Sequence, residues 1–250
     1  MSSGVEALGA LPSSSSTLVD DVVETLRAQI VSGEMPPGTK IRQQECSEIL
    51  GVSRTPLREA FQRLDADGWV RLRARQGADV RPLSVDEAEG IFIMRVLYET
   101  IAARVSAVRH DACDELAARK LIALAAVEEG RPGSSADADD ANTRFHEYVY
   151  GLRSERLPPE LTAAIRRHWA RAMRYRRFYW SAPGAAPSSE IAHREIFEAW
   201  VGRDAEATEH AVARHILIAL RDMMRRIDAE REPSEALRQL AARHAVELAR

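Results

Sequence analysis

The sequence lacks several features that would assign it to a familiar class of protein. It has only two cysteines, Cys46 and Cys113, and their separation fits neither a metal site nor a redox motif. No apolar run approaches the roughly 18 residues of a membrane span, and the Ser-rich N-terminus has no basic patch followed by an apolar core. We therefore expect a cytoplasmic protein with free thiols and no membrane partner.

A strong charge of one sign is also lacking, since 35 basic and 38 acidic residues leave a formal net charge of -3. A protein that coats nucleic acid without regard to sequence is usually strongly basic. Any contact with nucleic acid must therefore come from a local basic face. The stretch from Arg54 to Arg75 is a candidate, because its six arginines stand against three acidic residues.

The chain divides into a flexible tail over residues 1–16 and two predicted domains. In the first domain, residues 17–82, apolar spacing and capping residues predict three helices. Alternating apolar and polar residues then predict a β-hairpin over 70–80. Three helices followed by a hairpin are typical of a winged helix-turn-helix.

The second domain, residues 83–250, has no convincing strand pattern. Its apolar periodicity and its Gly- and Pro-rich breaks predict helices near 85–107, 110–130, 138–151, 159–180, 188–202, 205–231 and 234–249. We expect an antiparallel all-helical bundle, so the predicted fold class is mainly α.

The third helix of the first domain has two distinct faces. Apolar side chains form one face, and long polar side chains at a spacing of four, Arg54, Arg58 and Gln62, form the other with Thr55 beside them. Such a helix fits a major groove, where arginine bonds guanine edges. The alternative is an ordinary solvated helix face, with Glu59 and Arg63 as a surface ion pair.

Three histidines of the second domain lie on the apolar faces of three different helices. They are His146, His193 and His215, and Asn142 precedes His146 by one helical turn. Imidazoles that converge on one point suit Zn²⁺ or Ni²⁺. The alternative is that each histidine is a satisfied core residue, and the residues alone leave both interpretations open.

Other polar residues of the bundle have two interpretations each. Arg95 suits an effector carboxylate, because its planar fork matches that geometry, but it is also one turn before Glu99 and can form a structural salt bridge. His168 shares a helix face with apolar residues and can line the same pocket. The charge run at Arg174, Arg176 and Arg177 predicts a solvated face.

The first domain resembles the GntR family of regulators. The resemblance rests on VVETLRAQIVSGEMPPGTKI (22–41) and ILGVSRTPLREAFQRLDADGWV (49–70). It implies base or phosphate contacts at Ser53, Arg54, Thr55, Arg58 and a wing contact around Gly77. Gln44 stands where the family often has a basic residue, which puts one DNA contact in doubt. On the hairpin, we expect Arg71, Arg73 and Arg75 to reach the DNA backbone or the minor groove.

The second domain resembles the FCD effector domain of the FadR subfamily. The matching stretches are MRVLYETIAARVSA (94–107), NTRFHEYVYG (142–151) and IAHREIFEAWVGRDAEATEHAVARHI (191–216). In such domains an Asp and three His hold a divalent metal near an organic acid. The matching positions here are Asn142, His146, His193 and His215, so a neutral amide replaces the acidic ligand.

These features predict a homodimeric, ligand-responsive repressor of transcription that binds a pseudo-palindromic double-stranded DNA operator. The resemblance implies a small organic acid as effector, with Arg95 and His168 among its contacts and Zn²⁺ or Ni²⁺ as a candidate cofactor. The alternative is a metal-dependent enzyme that uses the histidine cluster. The sequence has neither an HExxH motif nor a Gly-rich phosphate loop, so we expect no enzyme activity.

Overall fold

A computed structural model describes residues 17–73, 77–129, 136–180 and 188–248 of the chain. Within the helices, the side chains of residues 125–129, 136–139, 176–180 and 188–190 are not described. The predicted tail and the predicted DNA contact Arg75 both lie outside the described residues.

The described residues form ten helices and three short strands. In chain order these are α1 (Leu18–Ser32), β1 (Lys40–Arg42), α2 (Gln43–Leu50), α3 (Arg54–Ala66), β2 (Val70–Arg73), β3 (Gly77–Val80), α4 (Val85–Ala107), α5 (Ala112–Glu129), α6 (Ala136–Val149), α7 (Pro159–Trp180), α8 (Ser188–Val201), α9 (Ala205–Ile227) and α10 (Glu235–Arg243). The predicted mainly α fold class, with a winged helix-turn-helix and a helical bundle, is confirmed. Two compact units divide the chain, one of Met1–Ser84 with Met173–Phe178 and one of Val85–Ala172 with Tyr179–Arg250.

The first unit packs α1 and α3 around one apolar core and closes it with a three-stranded antiparallel sheet of order β1-β3-β2. Leu26, Leu57, Leu64 and Trp69 are fully or almost fully buried there. Thr17 begins α1 with a capping box, which satisfies backbone N–H groups that the first turn leaves unpaired.

Strand β1 was not predicted from the sequence. It is three residues long and only its middle residue, Ile41, is buried, so it is too short to show an alternating pattern. It pairs with β3, where Arg42 stands opposite Gly77. Gly77 has φ of +112°, and a Cβ there would lie 2.1 Å from the Ile41 carbonyl oxygen. Glycine at this position is therefore required by the sheet itself.

The predicted solvated face at the charge run of α7 is wrong for Arg174. This side chain is 3% exposed and donates hydrogen bonds to the Arg81 carbonyl at 2.6 Å and the Gly68 carbonyl at 3.4 Å. Its guanidinium also lies 5.6 Å from the Trp69 ring centroid. Carbonyl oxygens and an aromatic face replace the water that a buried cation loses, so Arg174 is a structural part of the first unit.

The second unit is a helical bundle in which α9 packs against α4 and α8, and α5 packs against α6. Its core includes Phe145, Tyr150, Trp200 and Ile216, none of which is exposed. Asp204 begins α9 by accepting hydrogen bonds from two backbone N–H groups of the first turn. In the part of the chain that the structure describes, no helix is long and apolar enough to cross a membrane.

Candidate DNA-binding surface and histidine cluster

The outer face of α3 carries the long polar side chains that the sequence placed there. Arg54, Thr55 and Arg58 are exposed, whereas Leu57 on the opposite face is fully buried. Among the described residues, neither arginine side chain forms an ion pair. Ser53 is the N-cap residue of α3 but its hydroxyl makes no capping hydrogen bond. The start of α3 thus offers free donors, and a helix N-terminus favours phosphate.

Arg63 differs from the other arginines of α3 because it is already paired. It binds Asp20 of α1 at 2.6 Å, and the expected surface pair with Glu59 is not formed among the described residues. The pair joins α1 to α3 and binds the guanidinium of Arg63 to a carboxylate. The solvated ion-pair interpretation of α3 therefore holds for Arg63 only.

An open cleft adjoins the N-terminus of α3. It is lined mainly by basic and polar residues of β1, α2, α3 and the hairpin, namely Lys40, Arg42, Gln43, Gln44, Arg54, Arg73, Ala78 and Asp79. Sequence reasoning missed Lys40 and Arg42. Arg42 is the N-cap residue of α2 and makes no capping bond, which is unusual for a position where Ser, Thr, Asp or Asn is preferred. An arginine directly before α2, where a capping residue is expected, was the signal in the sequence that could have identified Arg42.

The remaining predicted DNA contacts occupy different environments. Gln44 is exposed and donates a hydrogen bond to Glu48 at 3.1 Å. Gly77 is buried at the start of β3, where it stands opposite Arg42 of β1 and Arg73 of β2. Arg73 at the end of β2 pairs with Asp79 at 2.5 Å.

The structure brings the three predicted histidines together. His146 comes from α6, His193 from α8 and His215 from α9, and one ring nitrogen of each lies within 4.8 Å of the others. The Nε2 atoms of His146 and His193 are 3.2 Å apart. The rings of His193 and His215 have centroids 4.8 Å apart. His146 and His193 are buried and His215 is half-buried.

This arrangement fits a divalent metal. Two nitrogens bound to one tetrahedral zinc at about 2.0–2.1 Å lie roughly 3.3–3.4 Å from each other. The separation of 3.2 Å between His146 and His193 nearly matches that value, and a ring nitrogen of His215 lies within 4.8 Å of both. Three imidazoles leave one position of a tetrahedral site open to a further ligand. Asn142 is 3% exposed and precedes His146 by one turn on α6.

Aromatic rings enclose the histidine cluster. Trp169 packs with its ring centroid 4.9 Å from that of His146, and Tyr150 lies at 5.4 Å. Burial, together with the nearby Glu99 carboxylate, raises the pKa of Tyr150 well above its ordinary value, so its phenol stays protonated and can donate. Phe145 lies 5.3 Å from His193. Sequence reasoning did not single out these rings, since their apolar spacing is that of any core.

Arg95 forms the structural salt bridge that was one of its two interpretations. It donates to Glu99 at 2.7 and 3.1 Å, and both side chains are buried. Burial alone would lower the pKa of Arg95, but the adjacent Glu99 carboxylate more than offsets this and raises it. The guanidinium lies 4.6 Å from the Trp169 ring. Arg95 therefore lies one aromatic ring away from the histidine cluster.

His168 lies on α7 and does not belong to the group of three histidines whose ring nitrogens lie within 4.8 Å of one another. Its Nδ1 is 2.8 Å from the Ala164 carbonyl oxygen and its ring packs edge-on against Tyr98. Burial lowers the pKa of His168, so its imidazole is neutral at neutral pH.

A winged helix-turn-helix with an exposed basic recognition helix is typical of a DNA-binding regulator. In this chain it is joined to a helical domain that contains a histidine cluster. Two family models match the chain, the bacterial regulatory proteins of the gntR family at residues 18–80 and the FCD domain at residues 90–218. The chain belongs to the GntR family of transcription regulators, in the subfamily with an FCD domain.

Curated relatives span most of the chain. One is the probable D-xylose utilization operon transcriptional repressor of Paenarthrobacter nicotinovorans, 29% identical over 203 residues that cover 80% of this chain and 86% of the relative. Another is the HTH-type transcriptional repressor RspR of Escherichia coli (strain K12), 27% identical over 78% of this chain and 84% of the relative.

Solved structures agree with the fold. A GntR-family regulator from Pseudomonas syringae pv. tomato is 27% identical with a TM-score of 0.52, covering 89% of this chain and 91% of that one. Escherichia coli McbR/YncC is 19% identical with a TM-score of 0.73, covering 85% of this chain and 100% of that one, and so supports the fold alone.

Proposed function

We propose that this protein is a ligand-responsive transcriptional repressor that reads a specific operator through α3. The observation that carries the proposal is the exposed row of Arg54, Thr55 and Arg58, which has no ion-pair partner among the described residues. Arginine in a major groove bonds guanine in bidentate fashion, and each such pair discriminates between bases. The names of two relatives support repression. Binding to chromosomal DNA implies a cytoplasmic location.

A gel-shift titration on operator DNA tests this proposal. Arg58→Ala should weaken specific binding by about 5- to 150-fold, the effect of losing one base contact. Arg63→Ala is the matched control on the same helix, because its arginine is bound to Asp20 and exposed. Loss of that surface pair should change affinity by less than about threefold. Wild-type affinity in both variants would contradict the assignment of α3.

The cleft beside α3 supports further contacts with the DNA backbone. We propose that Ser53 binds a phosphate at the helix N-terminus, and that Gln44 and the backbone at Gly77 approach the same strand. We propose that Arg75 also contacts the DNA backbone or the minor groove. Removal of such a contact should lower the affinity for all DNA sequences alike. Removal of a basic contact should also reduce the slope of the salt dependence of binding by about one unit.

We propose that two chains pair and place two α3 helices one turn apart on a pseudo-palindromic operator. Two exposed apolar residues one turn apart on α4 support this, since Leu97 and Ile101 are 43% and 54% exposed. Val108, which follows the last residue of α4, is 52% exposed. A second copy of the chain is the occupant that a two-fold operator requires. Ile101→Arg should yield a monomer in sedimentation, whereas Ile191→Arg, also at an exposed isoleucine, should leave the dimer intact.

We propose that the helical domain binds a small organic acid through a divalent metal, Zn²⁺ or Ni²⁺. His146, His193 and His215 would hold the metal, with Asn142 beside them, and a bound cation would supply a strong attraction for a carboxylate. Arg95 and His168 are proposed to lie along the same pocket, where Arg95 would donate to the acid through N–H groups other than the two that bind Glu99. The 3.2 Å between two imidazole nitrogens is the observation that supports this proposal.

We propose that effector binding in the helical domain lowers the affinity of the protein for the operator. An effector shifts the equilibrium between conformations only by its difference in affinity for them, and linkage makes this reciprocal. Operator DNA should therefore weaken effector binding by the same factor by which effector weakens operator binding. Calorimetry of the effector with and without operator measures this factor.

A further inference from the structure

The histidine cluster contains no negative charge of its own. Among the residues that the structure describes, no carboxylate or thiolate joins His146, His193 and His215 within ligand distance. Asn142, on the same face of α6 as His146, contributes only a neutral amide. A divalent cation held by these groups alone would keep its full charge in a largely buried place, which is unfavourable.

The buried acid of this region is already bound. Glu99 accepts two hydrogen bonds from Arg95, whose guanidinium lies over Trp169, the same indole that packs against His146. As a pair, Arg95 and Glu99 are neutral and compensate no charge at the histidines. Moving Glu99 to a metal would leave Arg95 buried and unpaired, which is strongly unfavourable.

Trp169, which packs against the histidine cluster, has a hydrogen-bond donor that is not used by any described residue. The Nε1–H of Trp169 is buried and has no acceptor among the described residues. Because the indole N–H can only donate, any group that pairs with it must carry a hydrogen-bond acceptor. A carboxylate offers several acceptor sites, and it also brings the negative charge that the histidines lack.

We propose that the cation and the effector carboxylate bind this protein as an interdependent pair, an inference that rests on the proposed metal site. The carboxylate takes the position of the acidic ligand that the chain does not supply. An oxygen ligand completes a tetrahedral set of three nitrogens and removes one unit of charge from the buried site. Each partner tightens the binding of the other by the same factor. The regulator thus responds to the acid only when the metal is present, and holds the metal weakly without the acid.

Titration of the full chain with Co²⁺ in the presence of acetate or acetamide tests this inference. Acetate is a minimal carboxylate that binds Co²⁺ weakly in water, and acetamide has the same shape without the charge. The visible spectrum of bound Co²⁺ reports both occupancy and the ligand set. Saturating acetate should raise the affinity for Co²⁺ by at least about tenfold, within the usual range for coupled sites. Acetamide should change it by less than about twofold.

The variant Asn142→Asp is the matched comparison, because it puts a carboxylate of the same size on the chain. Without acetate it should bind Co²⁺ at least about tenfold more tightly than wild type, and acetate should add less than about threefold. Tight binding by wild type that acetate does not change would overturn the paired binding and leave the metal site standing. Absence of Co²⁺ binding by both proteins, even with acetate, would overturn the proposed metal site itself.

Discussion

The Nε2 atoms of His146 and His193 lie 3.2 Å apart although the residues are separated by 47 positions in the sequence. Helices α6 and α8 hold the two rings, and α9 brings His215 alongside them. The cluster therefore depends on the packing of three helices and not on a local motif. A metal bound there would join these helices, because each of its ligands comes from a different one.

Replacement of His193 by alanine should abolish metal binding. Removal of one of three imidazoles leaves two ligands, so we expect the affinity for Zn²⁺ to fall at least about 100-fold in a competition titration. His210→Ala is the control, since His210 is exposed and outside the cluster. Equal Zn²⁺ affinity in wild type and His193→Ala would show that these histidines are not the ligands.

Substitution of Gly77 by alanine should destabilise the wing. A Cβ would clash with the Ile41 carbonyl at a φ that alanine rarely adopts, so we expect the free energy of unfolding in urea to fall by about 3 kcal/mol or more. Gly51→Ala is matched, because Gly51 also has positive φ but nothing lies within 4 Å of its Cβ position. That variant should lose only about 1 kcal/mol. Similar losses in both variants would contradict the close approach of β1.

Arg174→Ala should weaken the first unit although the residue lies far along the chain. It leaves two buried carbonyl oxygens without their charged donor, and the free energy of unfolding should fall by about 2–3 kcal/mol. Arg109→Ala, at an exposed arginine, should change it by less than about 0.5 kcal/mol. Urea denaturation followed by tryptophan fluorescence measures both. An unchanged midpoint for Arg174→Ala would mean that these bonds do not contribute.

The two thiols should differ sharply in reactivity. Cys46 is fully buried, and burial, with a smaller effect from Glu45, raises its pKa to about 12, so it carries almost no thiolate at pH 8. Cys113 is exposed. A disulfide reagent should therefore label one thiol rapidly in the folded protein and two in urea. Rapid labelling of the folded Cys113→Ser variant would contradict the burial of Cys46.

Most of the fold was accessible from the sequence because its elements are long or well capped. Helices α4 and α7 were predicted at their observed bounds, since Pro82 and Ser84 mark the start of one and Pro158 and Pro159 the start of the other. Strand β1 was not, because three residues carry no period. The burial of Arg174 was also missed, since its binding partners are two carbonyl groups about a hundred residues away.

The candidate sites were predictable to different depths. Helical spacing placed Arg54 and Arg58 on the outer face of α3, because one helix decides that face by itself. Helical spacing also predicted that three histidines face inward. The distances between their rings depend on how α6, α8 and α9 pack, which spacing within one helix does not determine. The pairing of Arg95 with Glu99 was one of two options that only the packed structure separates.

Selection of bound fragments from a genomic DNA library tests most directly whether this protein reads DNA through α3. Wild type should enrich fragments that share one pseudo-palindromic sequence, with half-sites about one helical turn apart. Arg58→Ala should lose that enrichment, and Arg63→Ala should keep it. Enrichment of no common sequence by wild type, or of the same sequence by Arg58→Ala with equal strength, would contradict the account.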